Sequence, residues 1–322
     1  MRTRVTDILG IEKPVVQGAM ARIADANLAA AVSQAGGLGI IACGGASLEW
    51  VEQQVRLARE KTSRPLGANV MLMDPNAAEL AQLLRDLRID VITTGAGSPS
   101  AFMGMWKEAG IKVVPVVASA ALARRMERLG ADAVVAEGTE AGGHVGELAT
   151  MALVPSVVRA VSIPVIGAGG VADARGMLAA FALGAEGVQV GTRFLTVSEC
   201  TVDDAYKQRV LDAKDSDTIV TGRGSGHPVR CLKNRFSRRV RQLEAEAASP
   251  DELEALYAGS LRRAVEGDVD GGSVMAGQVA GIVSQRASAA EVIDRMVDGA
   301  LGLGGDRLEA LAALNADRAQ LT

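Results

Sequence analysis

His144 and His227 are the only two histidines in this chain of 322 residues. Histidine titrates near neutrality, so each is a candidate to give, take or orient a proton. His144 stands in Glu137-Gly138-Thr139-Glu140-Ala141-Gly142-Gly143-His144-Val145-Gly146. Three nearby glycines deprive it of packing partners, which suits a residue exposed at a site; the plain alternative is an imidazole that only bonds a backbone carbonyl. A second loaded segment is Gly167-Ala168-Gly169-Gly170-Val171-Ala172, with Glu186 about 20 residues on, which satisfies the GxGxxA pattern of a dinucleotide site. A third is Gln189-Val190-Gly191-Thr192-Arg193, where a glycine allows close backbone approach beside a hydroxyl and a cation.

Other chemistries are excluded by inspection. No Gly-Lys pair makes a phosphate-binding P-loop, and neither HExxH nor GxSxG occurs, so zinc-peptidase and serine-hydrolase readings fail. Asp268 and Asp270 fall in a glycine-rich turn whose register and missing glutamate break a calcium loop, and no metal site is expected. Cys43, Cys200 and Cys231 are odd in number and widely spaced, which fits reduced thiols rather than a disulfide framework or a metal pair. A net charge of −4 and 2% aromatic residues argue against nucleic acid as a partner. No apolar stretch suffices for a membrane span, and the polar start Met1-Arg2-Thr3-Arg4 lacks a signal-like apolar run, so a cytoplasmic location is expected.

The elements that must position these residues form a regular series. Short β-branched runs recur at residues 15–18, 39–42, 67–71, 91–95, 113–117, 133–138, 164–169 and 187–193, apolar on both faces as parallel strands covered by helices are. Asp74-Pro75, Ser98-Pro99, Ser119 and Asp173 offer helix starts between them, while Gly110, Gly130 and Gly184 offer helix ends. Eight βα units in succession predict an α/β fold, a (β/α)8 TIM barrel occupying residues 1–198. In that frame Gly167–Ala172 follows the seventh strand rather than the first of a Rossmann unit. The loops after strands seven and eight of such barrels commonly hold phosphate, so the glycines read as a phosphate seat. His144 follows strand six, Asn69 ends strand three and Met20 follows strand one, all at the face where barrel active sites lie.

Residues 199–322 are predicted to form a helical lid and C-terminal helices packed on the barrel. Ser249-Pro250-Asp251-Glu252 opens a helix to about Val265, residues 275–283 read as an apolar helix, and Ser288-Ala289-Ala290-Glu291 opens another. Arg223, Arg230, Lys233, Arg235, Arg238, Arg239 and Arg241 form a basic stretch without an acid, either a solvated face or a docking surface.

Gln17-Gly18-Ala19-Met20-Ala21, Ala35-Gly36-Gly37-Leu38-Gly39, the segment from Ala136 to His144, Gln189-Val190-Gly191-Thr192-Arg193 and Met275-Ala276-Gly277-Gln278 resemble the FMN-dependent superfamily of nitronate monooxygenases and flavin-type enoyl-acyl-carrier-protein reductases (enoyl-ACP reductase II). The resemblance runs to about residue 300. Thr93-Thr94-Gly95-Ala96-Gly97-Ser98-Pro99-Ser100, the segment from Met126 to Ala133, the turn from Gly267 to Gln278 and His227-Pro228-Val229-Arg230 resemble the reductase branch more closely, with Pro228 as a departure.

This resemblance implies FMN at the barrel mouth, contacted near Met20, Asn69, Glu137, Gly142, Gly169, Gly170, Gln189, Gly191, Thr192, Met275 and Gln278. It implies reduction of a trans-2-enoyl thioester on acyl carrier protein by NADH or NADPH through FMN, the last step of bacterial fatty-acid elongation. His144 would supply the α-carbon proton or polarise the thioester carbonyl. A homodimer is implied too, and a monovalent cation at the lid turn, although no carboxylate cluster there demands one. The same FMN and His144 would serve a nitronate monooxygenase. With so few aromatic residues, the flavin should be held by backbone, amide and methionine contacts rather than by stacking.

Overall fold

A computed structural model describes the backbone of residues 1–224 and 226–319 and the side chains of those residues through 305. In chain order the first half runs α1 (Arg4–Leu9), β1 (Val15–Gln17), α2 (Ala26–Gln34), β2 (Gly39–Ala42), α3 (Leu48–Lys61), β3 (Leu66–Met71), α4 (Ala77–Asp86), β4 (Val91–Gly95), α5 (Met103–Glu108), β5 (Lys112–Val117), α6 (Ala120–Arg128) and β6 (Val134–Glu137). It continues β7 (Gly143–His144), α7 (Thr150–Val158), β8 (Val165–Ala168), α8 (Ala174–Ala182) and β9 (Gly187–Val190). Each of the eight predicted runs holds one barrel strand. The strands pair in parallel in the order β1-β9-β8-β6-β5-β4-β3-β2. The ends are drawn together by a bridge between Val16 and Leu38, and by the buried Gln17 side chain, which accepts from the Ile40 amide at 3.0 Å. The result is the predicted (β/α)8 barrel, nearly closed.

Branched aliphatic residues on both faces of each strand explain the packing. Inside, Val16, Leu38, Ile40, Val91, Val114, Val135 and Ile166 form one cluster, joined by Val5 and Leu9 of α1 and by Ile11 just after it. Outside, the opposite strand faces meet the helices. Ser119 and Asp173 cap α6 and α8 as their positions predict. Gly110, Gly130 and Gly184 adopt the left-handed backbone that ends a helix before the next strand. Asp74 behaves differently. Its carboxylate accepts from the Asn76 and Gly45 amides, fastening two loops together, and α4 begins later, at Ala77. Ser98-Pro99 likewise opens only a short 3-10 turn over Pro99–Ala101 before α5.

Beyond the barrel strands lie α9 (Asp204–Leu211), β10 (Thr218–Thr221), β11 (Val229–Leu232), α10 (Arg235–Ala245), α11 (Pro250–Tyr257), α12 (Ser260–Val265) and α13 (Ala289–Ala319). The Ser249 capping box is present, but the helix it opens breaks before Gly259, whose left-handed φ of 67° turns the chain into α12. Residues 275–283 are not an α-helix; a 3-10 turn spans Gln278–Ile282. Two strands, β10 and β11, join the helices of this region, and β11 pairs antiparallel with β7 from the barrel's sixth loop. α13 lies against α8 and α2 and covers the seam between them.

Candidate active site

At the C-terminal ends of the barrel strands opens a cavity of about 850 Å³. Its walls bring together Met20 from the loop after β1, Asn69 from β3 and Glu137 from β6. Gly142 and His144 come from the loop after β6, Gly169 and Gly170 from that after β8, Gln189 from β9, and Gly191 and Thr192 from just beyond β9. Met275 closes it from the lid segment. Gln278 is the exception among the predicted site residues. It is exposed and off the cavity wall, and its backbone amide donates to Glu140 O at 2.9 Å.

Three segments are knotted together at this mouth. The Glu140 carboxylate accepts from the backbone amide and hydroxyl of Thr150, at 3.0 and 2.8 Å, and so caps the N-terminus of α7 from a distance. The Thr150 hydroxyl also lies 2.9 Å from Gly169 O, tying the loops after β6 and β8. The Thr192 hydroxyl accepts from the Gly277 amide at 2.8 Å, and the Tyr206 hydroxyl donates to Met275 O at 2.7 Å. Gly142 touches the lid backbone so closely that a Cβ there would lie 2.6 Å from the Ala276 carbonyl carbon. The hydrogen bonds among these span 10 to 85 residues of sequence and the Gly142–Ala276 approach spans more than 130, and no spacing along the chain announces them.

Polar groups on the wall have defined surroundings. Asn69 Nδ2 donates to Thr93 Oγ1 at 3.0 Å, which orients the amide. Burial pushes the Glu137 carboxyl up to about 7, offset only partly by the Gln189 amide at 3.5 Å. His144 lies on β7, in register with Val229. Burial within the cleft, reinforced by the neighbouring His227, holds its imidazole below the ordinary histidine range. His227 also lines the cavity, so the two histidines of the chain meet at one mouth. Arg230 turns inward, donating to Thr139 O and Thr218 Oγ1, and is a strut of the lid rather than part of a surface patch.

The wall suits FMN on the structure's own terms. A Cβ at Gly191 would meet nothing within 4 Å and would protrude into the cavity. Gly169 and Gly170 hold φ of 84° and 74°, a left-handed pair that turns the chain around the expected phosphate end. Glu137 offers an under-satisfied acceptor of the kind a polyhydroxyl chain would satisfy. Among the described lining residues none is Phe, Tyr or Trp, so a ring system there would rest on Met20, Met275 and backbone. Among those residues there is also no group of three histidines, cysteines or acids placed to hold a metal ion. At the lid turn, Asp268 is engaged with the Gly271 amide at 2.7 Å.

The family model for nitronate monooxygenase matches residues 2–87 and 80–299, and the chain belongs to that family of FMN-dependent oxidoreductases. It is 34% identical to a (3aS,4S,5R,7aS)-5-hydroxy-7a-methyl-1-oxo-octahydro-1H-indene-4-carboxyl-CoA dehydrogenase of Mycobacterium tuberculosis, covering 92% of this chain and 95% of that one. It is also 34% identical to a probable nitronate monooxygenase of Staphylococcus aureus, over 76% of this chain and 82% of the other. Among solved structures, FabK from Thermotoga maritima superposes with a TM-score of 0.93 at 46% identity, covering 98% of this chain and 99% of that one.

Proposed function

We propose that this protein reduces the carbon–carbon double bond of a trans-2-enoyl thioester carried by acyl carrier protein, with NADH or NADPH as the reductant. The observation that carries this reading is the near-complete likeness to FabK, an enoyl-ACP reductase II, at 46% identity. Bound FMN supplies the hydride relay between nicotinamide and thioester. The chain's residues do the rest. Gly169, Gly170, Gly191 and Thr192 seat the phosphate end, Glu137 accepts from the ribityl chain, Asn69 bonds the ring edge and Met275 closes the lid side. His144 is neutral at physiological pH because its pKa is lowered, so it meets the thioester carbonyl as an N–H donor, where enolate charge grows. The proton required at the α-carbon then comes from solvent, because a neutral imidazole that holds the carbonyl has no acidic proton to give.

A second reading, oxidation of alkyl nitronates with oxygen, is favoured by the family model and the Staphylococcus relatives. Two anaerobic half-reactions separate them. On the proposed reading NADH or NADPH bleaches the flavin, and crotonyl thioester restores its colour without oxygen. Reoxidation only by oxygen, with turnover of a nitronate, overturns the reductase.

A further inference from the structure

Arg125 is the one arginine or lysine among the described residues lining the cavity. It stands on α6, which follows β5, whereas the Gly169–Gly170 end lies beyond β6, on the loop after β8. The two therefore belong to different βα units of the barrel mouth. Among the described residues it forms no ion pair and no side-chain hydrogen bond, unlike Arg193 and Arg230, which are held by the protein. Leu122 and Met126 flank it on the same helix, and Met73 and Leu122 remain 56% and 43% exposed at the rim. Arg124 and Arg128 are exposed on the same helix but off the cavity wall.

A single unengaged guanidinium at the exposed rim of a largely apolar cavity is matched to one anionic group on a long, otherwise uncharged ligand, and a phosphate suits its planar fork best. We propose that Arg125 anchors a phosphate of a substrate at the cavity mouth, outside the flavin seat. This inference rests on the reductase reading, in which both visitors to the cavity carry phosphate: the dinucleotide reductant and the phosphopantetheine-type handle of the thioester.

The test uses FMN-loaded enzyme carrying Arg125→Met or Arg125→Lys, with Arg124→Met as a control off the wall. One arm compares crotonyl-CoA with crotonyl-N-acetylcysteamine, which lacks phosphate; the other compares NADPH and NADH with reduced nicotinamide riboside, which also lacks it. In one arm Arg125→Met should reduce the preference for the phosphate-bearing partner by about tenfold, mostly through KM, with Arg125→Lys intermediate. The arm that responds names the source of the phosphate. Titration of the loaded enzyme with coenzyme A and with pantetheine, followed by flavin absorbance, reads the same preference without turnover. Failure of crotonyl thioester to reoxidise wild-type flavin is thereby distinguished from failure of Arg125. Equal losses with and without phosphate in both arms, or no change in either, overturn the proposal.

Discussion

His144 combines exposure to the cavity with a pKa below the ordinary histidine range, caused first by burial within the cleft and then by His227. An uncharged imidazole acting as hydrogen-bond donor needs no acid limb near neutrality. On the proposed reading, single-turnover reoxidation by crotonyl thioester should stay flat from about pH 7 to 8.5. His144→Ala should slow that step by about 10²- to 10⁴-fold while flavin reduction by NADH changes only a few-fold. Equal loss in both half-reactions would mean that His144 shapes the site rather than acts on the thioester.

Glu137 makes a separate prediction at the same scale. Its carboxyl titrates near 7 in the fold against about 4.5 unfolded, so the folded state holds the proton more tightly. Its contribution to stability is present below about pH 4.5 and is lost as pH rises through about 7. In flavin-free protein Glu137→Gln should flatten this part of the stability profile and gain up to about 3 kcal/mol at pH 8. Denaturant unfolding at pH 5 and pH 8 checks it; a parallel profile for wild type and variant refutes the assignment.

At the scale of elements, the sixth barrel loop is where barrel and lid become one site. β7 pairs with β11, Gln278 N reaches Glu140 O, and Gly142 abuts Ala276. Gly142→Ala would place a Cβ 2.6 Å from backbone, which cannot rotate away as a side chain can. The lid must shift, at about 1–3 kcal/mol. A lowered Tm with weakened FMN retention is expected, both measured on the purified variant; an unchanged Tm would contradict the close approach. The glycines around His144 were legible in the sequence as a site. Their second purpose, admitting lid backbone, was not, because the partner segment lies more than 130 residues away. β10 and β11 were missed for a related reason. Thr218–Thr221 and Val229–Leu232 are only four residues each, between acidic and basic stretches, and β7 supplies their third strand from far away in sequence.

For the whole molecule, charge is divided by direction. The basic stretch splits in the fold: Arg230 turns inward, Lys233 donates to Ser216 O and Arg241 pairs with Glu244. Arg235, Arg238 and Arg239 stay exposed on α10, directly after β11, whose partner strand carries His144. On the proposed reading this face meets the acidic carrier protein by complementary charge, an effect strongest on association at low salt. Arg238→Glu with Arg239→Glu should raise KM severalfold for crotonyl-ACP and leave crotonyl-CoA little changed, with the difference shrinking as salt rises. Equal effects on both thioesters remove α10 from the docking surface. Among the described residues no helix is long and apolar enough to cross a membrane.

The barrel was determined by sequence alone because its signals are local: β-branched runs, capping residues and left-handed glycines repeat once per βα unit, and each works within a few residues of itself. The same locality made Glu137, His144, Gly169, Gly170, Gly191 and Thr192 visible, since they follow strand ends that must share one face. Only the tertiary structure decided how the mouth is closed. The Glu140–Thr150 cap, the Gly142–Ala276 approach, the meeting of His144 with His227 and the solitary place of Arg125 all depend on segments brought together by folding. Gln278 marks the boundary, since its motif suggested a site contact and the turn it begins points the side chain outward. Chain-local patterns specify elements, whereas the wall of a cavity is a property of how those elements meet.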